Sequence, residues 1–349
     1  MFDHRHYVPI LKSKQNELLA LGELVPEAAE RCTPLIEVMP AAETRGKAPP
    51  PVEDQLQTMI RRLASGRTEG QRVFIDTIHL RDSVRSNQAH PLVDACRRAD
   101  GEFLAVPVGG VNRTRAHERA LAEVADGRGA ALRLETADIW EAGDVGHAVD
   151  DWLGAVSLKA TEVDLIVDLG PISGDATDRI IGVREAMRAL PRLGQWRSLT
   201  LASGAFPEDL NRLAEDKTHN RDRHDWLLFL RVFAGRLPRK PAFGDYSIHD
   251  TRVLTGGGLG NAHLRFTADS HWVVVRRQNL RRAAKFGQYY EACDILRRRG
   301  EFEDPEHCFG CRKIAACLPP SSTGQQGSWL KAGDAHHFTV ATTQVGRLP

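Results

Sequence analysis

The sequence predicts an α/β fold: a (β/α)8 TIM-like barrel with a C-terminal extension that carries a cysteine-rich knuckle. Eight short runs rich in apolar and β-branched residues alternate along the chain with stretches of helical periodicity. The runs are almost continuously apolar, as expected of parallel strands buried on both faces, and each run ends at polar residues. A doubly wound open sheet shares this alternation, but the count of eight favours a closed barrel.

The predicted strands are, in chain order, HYVPILK, CTPLIEVMP, QRVFIDTI, GEFLAVPV, GAALRLE, EVDLIVDLG, RSLTLASG and AFGDY. The predicted helices between and after them are KQNELLALGEL, VEDQLQTMIRRLA, PLVDACRRA, RAHERALAEVA, GHAVDDWLGAV, DRIIGVREAMRAL, FPEDLNRLAE and DWLLFLRVFAG. The first helix shows the reasoning, because its leucines from Leu18 to Leu24 fall on one broad face at helical spacing.

The alternation stops near residue 250, so we predict a barrel over residues 1–250 and an extension over 251–349 packed beside the barrel mouth. GGGLG is interpreted as a hinge, because it lacks the flanking strand and helix of a dinucleotide-binding loop. NAHLRFTA and HWVVVRR predict an antiparallel pair, and FGQYYEACDILRRR predicts a helix. AHHFTVATTQV predicts a final strand, on which His336 and His337 face opposite ways.

Composition limits the function classes. The chain of 349 residues is 42% hydrophobic and only 6% aromatic, which suits an aliphatic barrel core. With 47 Lys and Arg against 46 Asp and Glu, its net charge attracts neither nucleic acid nor membranes in general. Because no signal peptide or membrane-spanning run is evident, we expect a cytoplasmic protein with no membrane partner. The absence of Walker A, HExxH and GxSxG patterns excludes P-loop, zincin and α/β-hydrolase readings.

Several segments resemble the Beta protein family: YVPILKSKQNELLAL, TPLIEV, VFIDT, LASGAFPEDL, FGDYS and SWLKAGDAHHFTV. The similarity covers nearly the whole chain and is strongest at Lys14 and Glu17, at Gly-Asp-Tyr 244–246 and at the pair of histidines, His336 and His337. It implies a barrel-like α/β fold and an association with mobile elements or with phage–host conflict. It implies no established reaction, so no catalytic residue is carried over as known.

The carboxyl ends of all strands in such a barrel open onto one mouth, where side chains far apart in sequence converge. Clustered carboxylates there need either a divalent ion such as Mg²⁺ or nearby cations that clamp an anionic group. The structural alternative is that alternate residues near the strand ends point outward or form salt bridges that merely seal the barrel. The candidate catalytic residues are Lys12, Lys14, Glu17, Glu37, Asp76, Arg133, Glu135, Asp168 and Asp245.

These residues favour an enzyme that acts at the mouth on a phosphorylated or nucleotide-like substrate, as a metal-dependent hydrolase or phosphodiesterase would. The alternative is a non-catalytic binding or sensing component of an antiphage defence system that contacts nucleic acid or a partner protein. Its sequence support is a basic stretch from Arg276 to Arg299, with Tyr289 and Tyr290 interleaved. Such a stretch also fits a solvated helix face.

The six cysteines include a CxxC pair, with Gly310 allowing a tight turn, which predicts a structural Zn²⁺ site that performs no chemistry. One CxxC supplies only half of the four ligands that a structural zinc requires. Buried unligated thiols are the alternative, and a redox pair is disfavoured because no thioredoxin-like strand precedes it. The candidate metal ligands are Cys293, His307, Cys308, Cys311 and Cys317. Cys293 would complete a four-sulfur site, and His307, His336 or His337 could serve in its place.

Overall fold

The computed structural model describes residues 2–41, 48–140, 144–174, 177–252, 260–281, 285–302 and 304–349. Eight parallel strands form a closed ring, which confirms the predicted barrel. The last strand of the ring pairs with both the seventh and the first. The barrel strands are β1 (Tyr7–Lys12), β2 (Leu35–Glu37), β3 (Arg72–Asp76), β4 (Leu104–Gly109), β5 (Ala130–Glu135), β6 (Val163–Pro171), β7 (Ser198–Gly204) and β9 (Ala242–Asp245).

Helices surround this ring and pack on its outer face. They are α1 (Gln15–Leu21), α2 (Pro26–Glu30), α3 (Val52–Ala64), α4 (Pro91–Arg98), α5 (Arg115–Val124), α6 (Thr136–Trp140), α7 (Val145–Val156), α8 (Thr177–Ala189) and α9 (His224–Phe233). Alternate strand residues face opposite sides, as in any strand. On β1, Val8 and Ile10 belong to the inner core, whereas Tyr7 and Leu11 belong to the core between ring and helices. This alternation aims Lys12 at the barrel interior.

The rest of the chain forms a second layer beside the barrel. Its antiparallel sheet has the order β10 (Asn261–Thr267), β11 (His271–Asn279) and β8 (Lys217–Asp222), so the predicted β10–β11 pair is present. The boundary at residue 250 stays a prediction, although β8, which precedes it, pairs with β11. The glycine-rich loop lies outside the described residues except for Gly260. The layer also contains α10 (Gln288–Arg297), α11 (Phe309–Ala316) and α12 (Gln326–Gly346).

Two predicted elements are wrong. FPEDLNRLAE is not a helix, because Leu210 and Leu213 bury against Trp272 of the side sheet and the chain continues into β8. AHHFTVATTQV is not a strand but part of α12. This helix buries Phe338 against the barrel and Trp329 against the extension, so burial on two faces removes the amphipathic pattern that marks a helix. Among the described residues, no helix combines the length and apolar character needed to cross a membrane.

Candidate functional site

Four strand ends bring charged side chains together around one buried arginine. Arg133, from β5, donates through Nη1 to Asp76 Oδ2 (2.9 Å) and through Nη2 to Glu37 Oε1 (2.9 Å). Its Nε and Nη2 also donate to Asp168 Oδ2, at 3.0 and 2.6 Å. Tyr246 accepts from Arg133 and donates to Asp168, at 2.9 and 2.6 Å. We call these five residues the Arg133 network.

The Arg133 network is nearly closed to solvent, with 2% of the Arg133 side chain exposed. The sequence predicted that either a divalent ion or nearby cations would balance the negative charge of the clustered carboxylates. In this network the positive charge is supplied by Arg133 and by Arg113, which donates to Asp76 at 3.2 Å. Burial alone would raise the pKa of Glu37, but the hydrogen bond from His79 and the charge of Arg133 outweigh it and hold that pKa below its usual value. The salt bridges on this side of the mouth therefore fit the structural alternative, in which strand-end charges seal the barrel.

A different arrangement surrounds Lys12 on the other side of the mouth. Its ammonium donates to the backbone carbonyl of Asp250 at 2.6 Å and lies 6.0 Å from the centre of the Tyr246 ring. Burial lowers the pKa of Lys12. The carboxylate of Glu17, at the start of α1, accepts from the Lys12 backbone N–H at 2.8 Å, and burial raises the pKa of Glu17.

Lys12 and Glu17 line a cavity of about 350 Å³, which we call the mouth cavity. It lies between the loops that follow β7 and β9, the start of α1, and the first residues of β10. Its charged and histidine side chains are those of Lys12, Lys14, Glu17, Glu208, Asp209, His249, Asp250, Arg252, His263 and Arg265. Residues of β10 and the loop before it thus form one wall of this cavity.

A histidine–aspartate pair in the mouth cavity was missed by sequence analysis. His249 Nε2 lies 2.9 and 3.0 Å from the two carboxylate oxygens of Asp334, which is fully buried on α12. The hydroxyl of Ser247 donates to the same carboxylate at 2.8 Å. Asp334 lies within the segment SWLKAGDAHHFTV that carries the family resemblance, and this was the only sequence signal for it.

Glu135 and Asp245 lie apart from both arrangements. Glu135 is at the exposed rim, where partial desolvation raises its pKa against the opposing charges of Arg133 and Arg113. Asp245 does not point into the mouth, because it shares the outward face of β9 with Phe243. It is fully buried beneath α12 and accepts hydrogen bonds from Tyr7 (2.6 Å) and His337 (2.8 Å). The expectation that Asp245 joins the mouth is therefore wrong.

The cysteine knuckle meets α12 at a second site. The Nδ1 atom of His336 lies 3.4 Å from Cys308 Sγ and 3.5 Å from Cys311 Sγ, and the three atoms form a group that can hold a metal ion. The Cys308 sulfur accepts from the Cys311 N–H, and hydrogen bonding with Cys311 and the nearby His336 lower the pKa of Cys308 to about 4 against the effect of burial. Gly310 is required here, since a Cβ atom would collide with the Ala332 carbonyl of α12.

The other predicted metal ligands lie outside this group, which we call the Cys308 site. Cys293 and Cys317 hydrogen-bond to each other, and burial raises the pKa of both thiols. The sequence offered no means to tell that they pair with each other and do not join the knuckle group. The His307 ring lies edge-on to His336, with 6.1 Å between ring centres. A four-sulfur site is therefore not what the described residues form.

The basic stretch contributes little free charge. Tyr289 is fully buried, so its ring is not available to stack on a base, and Arg281 is exposed. Arg282 lies outside the described residues. The arginines that already bond to carboxylates or backbone carbonyls of the protein are Arg276, Arg277, Arg297, Arg298 and Arg299.

The fold and these sites define a (β/α)8 barrel whose mouth is walled on one side by an appended layer. The chain belongs to the Beta protein family, whose model matches residues 7–342. No curated protein matches the chain. One similar solved structure is an open form of tryptophan synthase from M. tuberculosis. It is 16% identical with a TM-score of 0.29, and the match covers 70% of this chain and 84% of that one. An identity and a TM-score this low indicate nothing about the function of this chain.

Proposed function

We propose that this protein is an enzyme that binds a phosphorylated or nucleotide-like substrate in the mouth cavity. The observation that carries the proposal is the placement of Lys12, Lys14 and His249 around one cavity, with His249 held from behind by the buried Asp334. In (β/α)8 barrels, the loops after the seventh and eighth strands frequently bind phosphate, and those loops form this cavity. The setting of phage–host conflict rests on the family resemblance alone.

The cations suit an anionic substrate. Lys14 is exposed at the start of α1, and Lys12 is buried with its ammonium bonded only to a carbonyl among the described residues. A phosphate oxygen is a stronger hydrogen-bond acceptor than a carbonyl, and its negative charge offsets the desolvation cost of the buried Lys12 ammonium. Arg265 adds a third cation at the cavity wall, with its pKa lowered to about 10 by burial. These side chains would hold a substrate through its phosphate.

The histidine–aspartate pair suits proton transfer. Asp334 fixes the His249 ring through Nε2, as a buried carboxylate orients a catalytic histidine, so Nδ1 is the basic nitrogen. Nδ1 lies 3.5 Å from Arg265 Nη1, and this arginine must turn to the substrate phosphate before Nδ1 can take a proton. His249 then serves as general base toward a water molecule or a substrate hydroxyl in the cavity. Hydrolysis of a phosphate ester is the reaction class that combines such a base with the cations.

We also propose that the metal ion of the Cys308 site is zinc. Two thiolates and one imidazole nitrogen are soft and borderline ligands, which select Zn²⁺ over Mg²⁺ or Ca²⁺. The imidazole is prepared for this role, because His336 Nε2 donates to the carbonyl of Thr267 at 2.8 Å and leaves Nδ1 free to bind a metal.

The function is tested by binding and turnover with defined probes. Purified protein is titrated with inorganic phosphate, pyrophosphate and nucleoside mono-, di- and triphosphates by calorimetry, and products are followed by ³¹P NMR. Lys14→Ala should weaken binding by about tenfold, the loss expected for one charge-assisted contact. His249→Ala should abolish turnover and leave binding within a few-fold of the wild type.

The matched control is Lys159→Ala. Lys159 is an exposed lysine that precedes β6, at the opposite end of the barrel. This variant should bind every probe as the wild type does. The proposal fails if none of the probes binds, if Lys159→Ala weakens binding as much as Lys14→Ala, or if His249→Ala turns over at the wild-type rate.

A further inference from the structure

We infer that the zinc of the Cys308 site has only three protein ligands and that its fourth position opens into a cavity, where it binds a small neutral donor molecule. This inference rests on the zinc proposed above and departs from the closed, structural site predicted from the sequence. Three protein ligands with an open position distinguish catalytic and ligand-binding zinc from structural zinc, and Cys₂His is one of the sets that occur.

The geometry of the three ligand atoms already matches a tetrahedral ion. With a Zn–S bond of about 2.3 Å and a Zn–N bond of about 2.0 Å, a sulfur and a nitrogen of one tetrahedron lie about 3.5 Å apart. The two S···N distances at the Cys308 site are 3.4 and 3.5 Å. The sulfur and nitrogen atoms therefore need almost no movement to bind zinc.

No fourth protein ligand lies in this group among the described residues. Cys293 and Cys317 are free thiols that hydrogen-bond to each other in the core of the extension. The His307 ring, whose centre is 6.1 Å from that of His336, lines the same cavity as Cys311 and His336 but does not join the group. This cavity has a volume of about 250 Å³ and lies beside Phe266. The fourth position of the tetrahedron is thus free for a water molecule or for a small ligand from the cavity.

Charge indicates which ligand class fits. Two thiolates neutralise Zn²⁺, so the metal centre has no net charge to attract an anion. The charged carboxylate and arginine side chains that line the cavity are those of Asp269, Glu301, Asp304 and Arg347, so the acids outnumber the arginine and the lining repels anions. A neutral nitrogen or sulfur donor satisfies both conditions, whereas phosphate, the proposed ligand of the mouth cavity, satisfies neither.

The test is substitution of Co²⁺ for zinc in the full-length protein, followed by titration with imidazole as the neutral probe. Zinc content of the purified protein tests the metal itself, and the expected value is about one ion per chain. Imidazole should shift the visible d–d bands of the cobalt protein, and His307→Ala should show the same shift. Azide, as the anionic probe, should shift the bands at least tenfold less effectively.

The double variant Cys293→Ser/Cys317→Ser is the control and should keep the sulfur-to-cobalt charge-transfer band unchanged. A clear fall in the intensity of that band in the double variant, with Cys308 and Cys311 still present, would show that Cys293 and Cys317 also bind the metal and would overturn the inference. A wild-type spectrum that imidazole does not change also overturns it, while leaving the zinc proposal standing. If neither zinc nor cobalt binds, both proposals fail, although the mouth cavity is unaffected.

Discussion

On one side of the barrel mouth, Arg133 bonds to three carboxylates and a tyrosine, all buried. On the other side, Lys12 is also buried but bonds to a single backbone carbonyl beside a cavity. Both sides place charged groups at strand ends, and both bear the desolvation cost of burial. The carboxylates bonded to Arg133 offset its desolvation cost. The single carbonyl bonded to Lys12 offsets only part of the cost of burying that ammonium. Charged residues at the strand ends thus differ in whether their partners are already in place, and the proposed ligand-binding role falls to Lys12, which lacks a charged partner bonded to its ammonium among the described residues.

The largest effect should follow from removing the centre of the Arg133 network. Arg133→Met leaves Glu37, Asp76 and Asp168 buried without their shared cation, and breaking a buried pair in this way costs about 3–5 kcal/mol. Urea unfolding of both proteins measures the loss. Arg113→Met is the control, because Arg113 makes one 3.2 Å contact in the network and is more exposed, so we expect about 1 kcal/mol. Equal losses in both variants would contradict the central role of Arg133.

The buried contact between α12 and the outer face of β9 should give the next largest effect. His337 is bonded on both ring nitrogens, to Asp245 at 2.8 Å and to Thr267 at 2.9 Å. His337→Phe leaves both partners buried without this hydrogen bond and should lower the free energy of unfolding by about 3 kcal/mol. His337→Gln keeps a donor toward Asp245 and should recover part of the loss.

Because Asp245 lies outside the mouth, ligand binding separates its structural role from a catalytic one. Folded His337→Phe protein should bind phosphate compounds as the wild type does. A variant that stays fully stable but loses binding would return Asp245 and His337 to the functional site.

The barrel could be predicted because its signal is local. Runs such as VDLIVDL are apolar without interruption, and this pattern arises from burial on both faces of each strand. The acids at the ends of β3 and β6 could be predicted for the same reason. The direction of Asp245 could not, since Phe243 and Tyr246 flank it and either one fits the barrel interior by its chemistry alone.

The remaining features depend on long-range packing. His249 and Asp334 are 85 positions apart, and no periodicity links them. The helix α12 lies between two hydrophobic cores, so its sequence lacks the one-sided apolar pattern that marks a helix. Without the helix, the orientation of His336 and His337 could not be predicted either. The CxxC pair was visible as a short motif, while its separation from Cys293 and Cys317 depends on how α10 and α11 pack.

A third prediction concerns Lys12, on the side of the mouth that faces the mouth cavity. Lys12→Met removes a charge that burial already disfavours, so the free energy of unfolding should stay unchanged or rise by about 1 kcal/mol. Phosphate binding should nevertheless fall by about tenfold. Calorimetric titration and urea unfolding on the same samples check both. Destabilisation as large as that of Arg133→Met would mean that Lys12 is a structural group like Arg133.

The smallest effect is the pH dependence that Glu37 gives to the Arg133 network. The folded protein holds the pKa of Glu37 below the usual 4.5, so ionised Glu37 stabilises the fold. That contribution is fully present above pH 4.5 and is lost as the pH falls through the folded pKa. The stability difference between the wild type and Glu37→Gln should therefore shrink between pH 6 and pH 3, as urea unfolding at a series of pH values will measure. The exposed Glu69→Gln is the matched control and should show no such trend. A constant difference for Glu37→Gln would mean that its carboxylate is not stabilised by Arg133 and His79, and the contrast between the two sides of the mouth would lose its electrostatic basis.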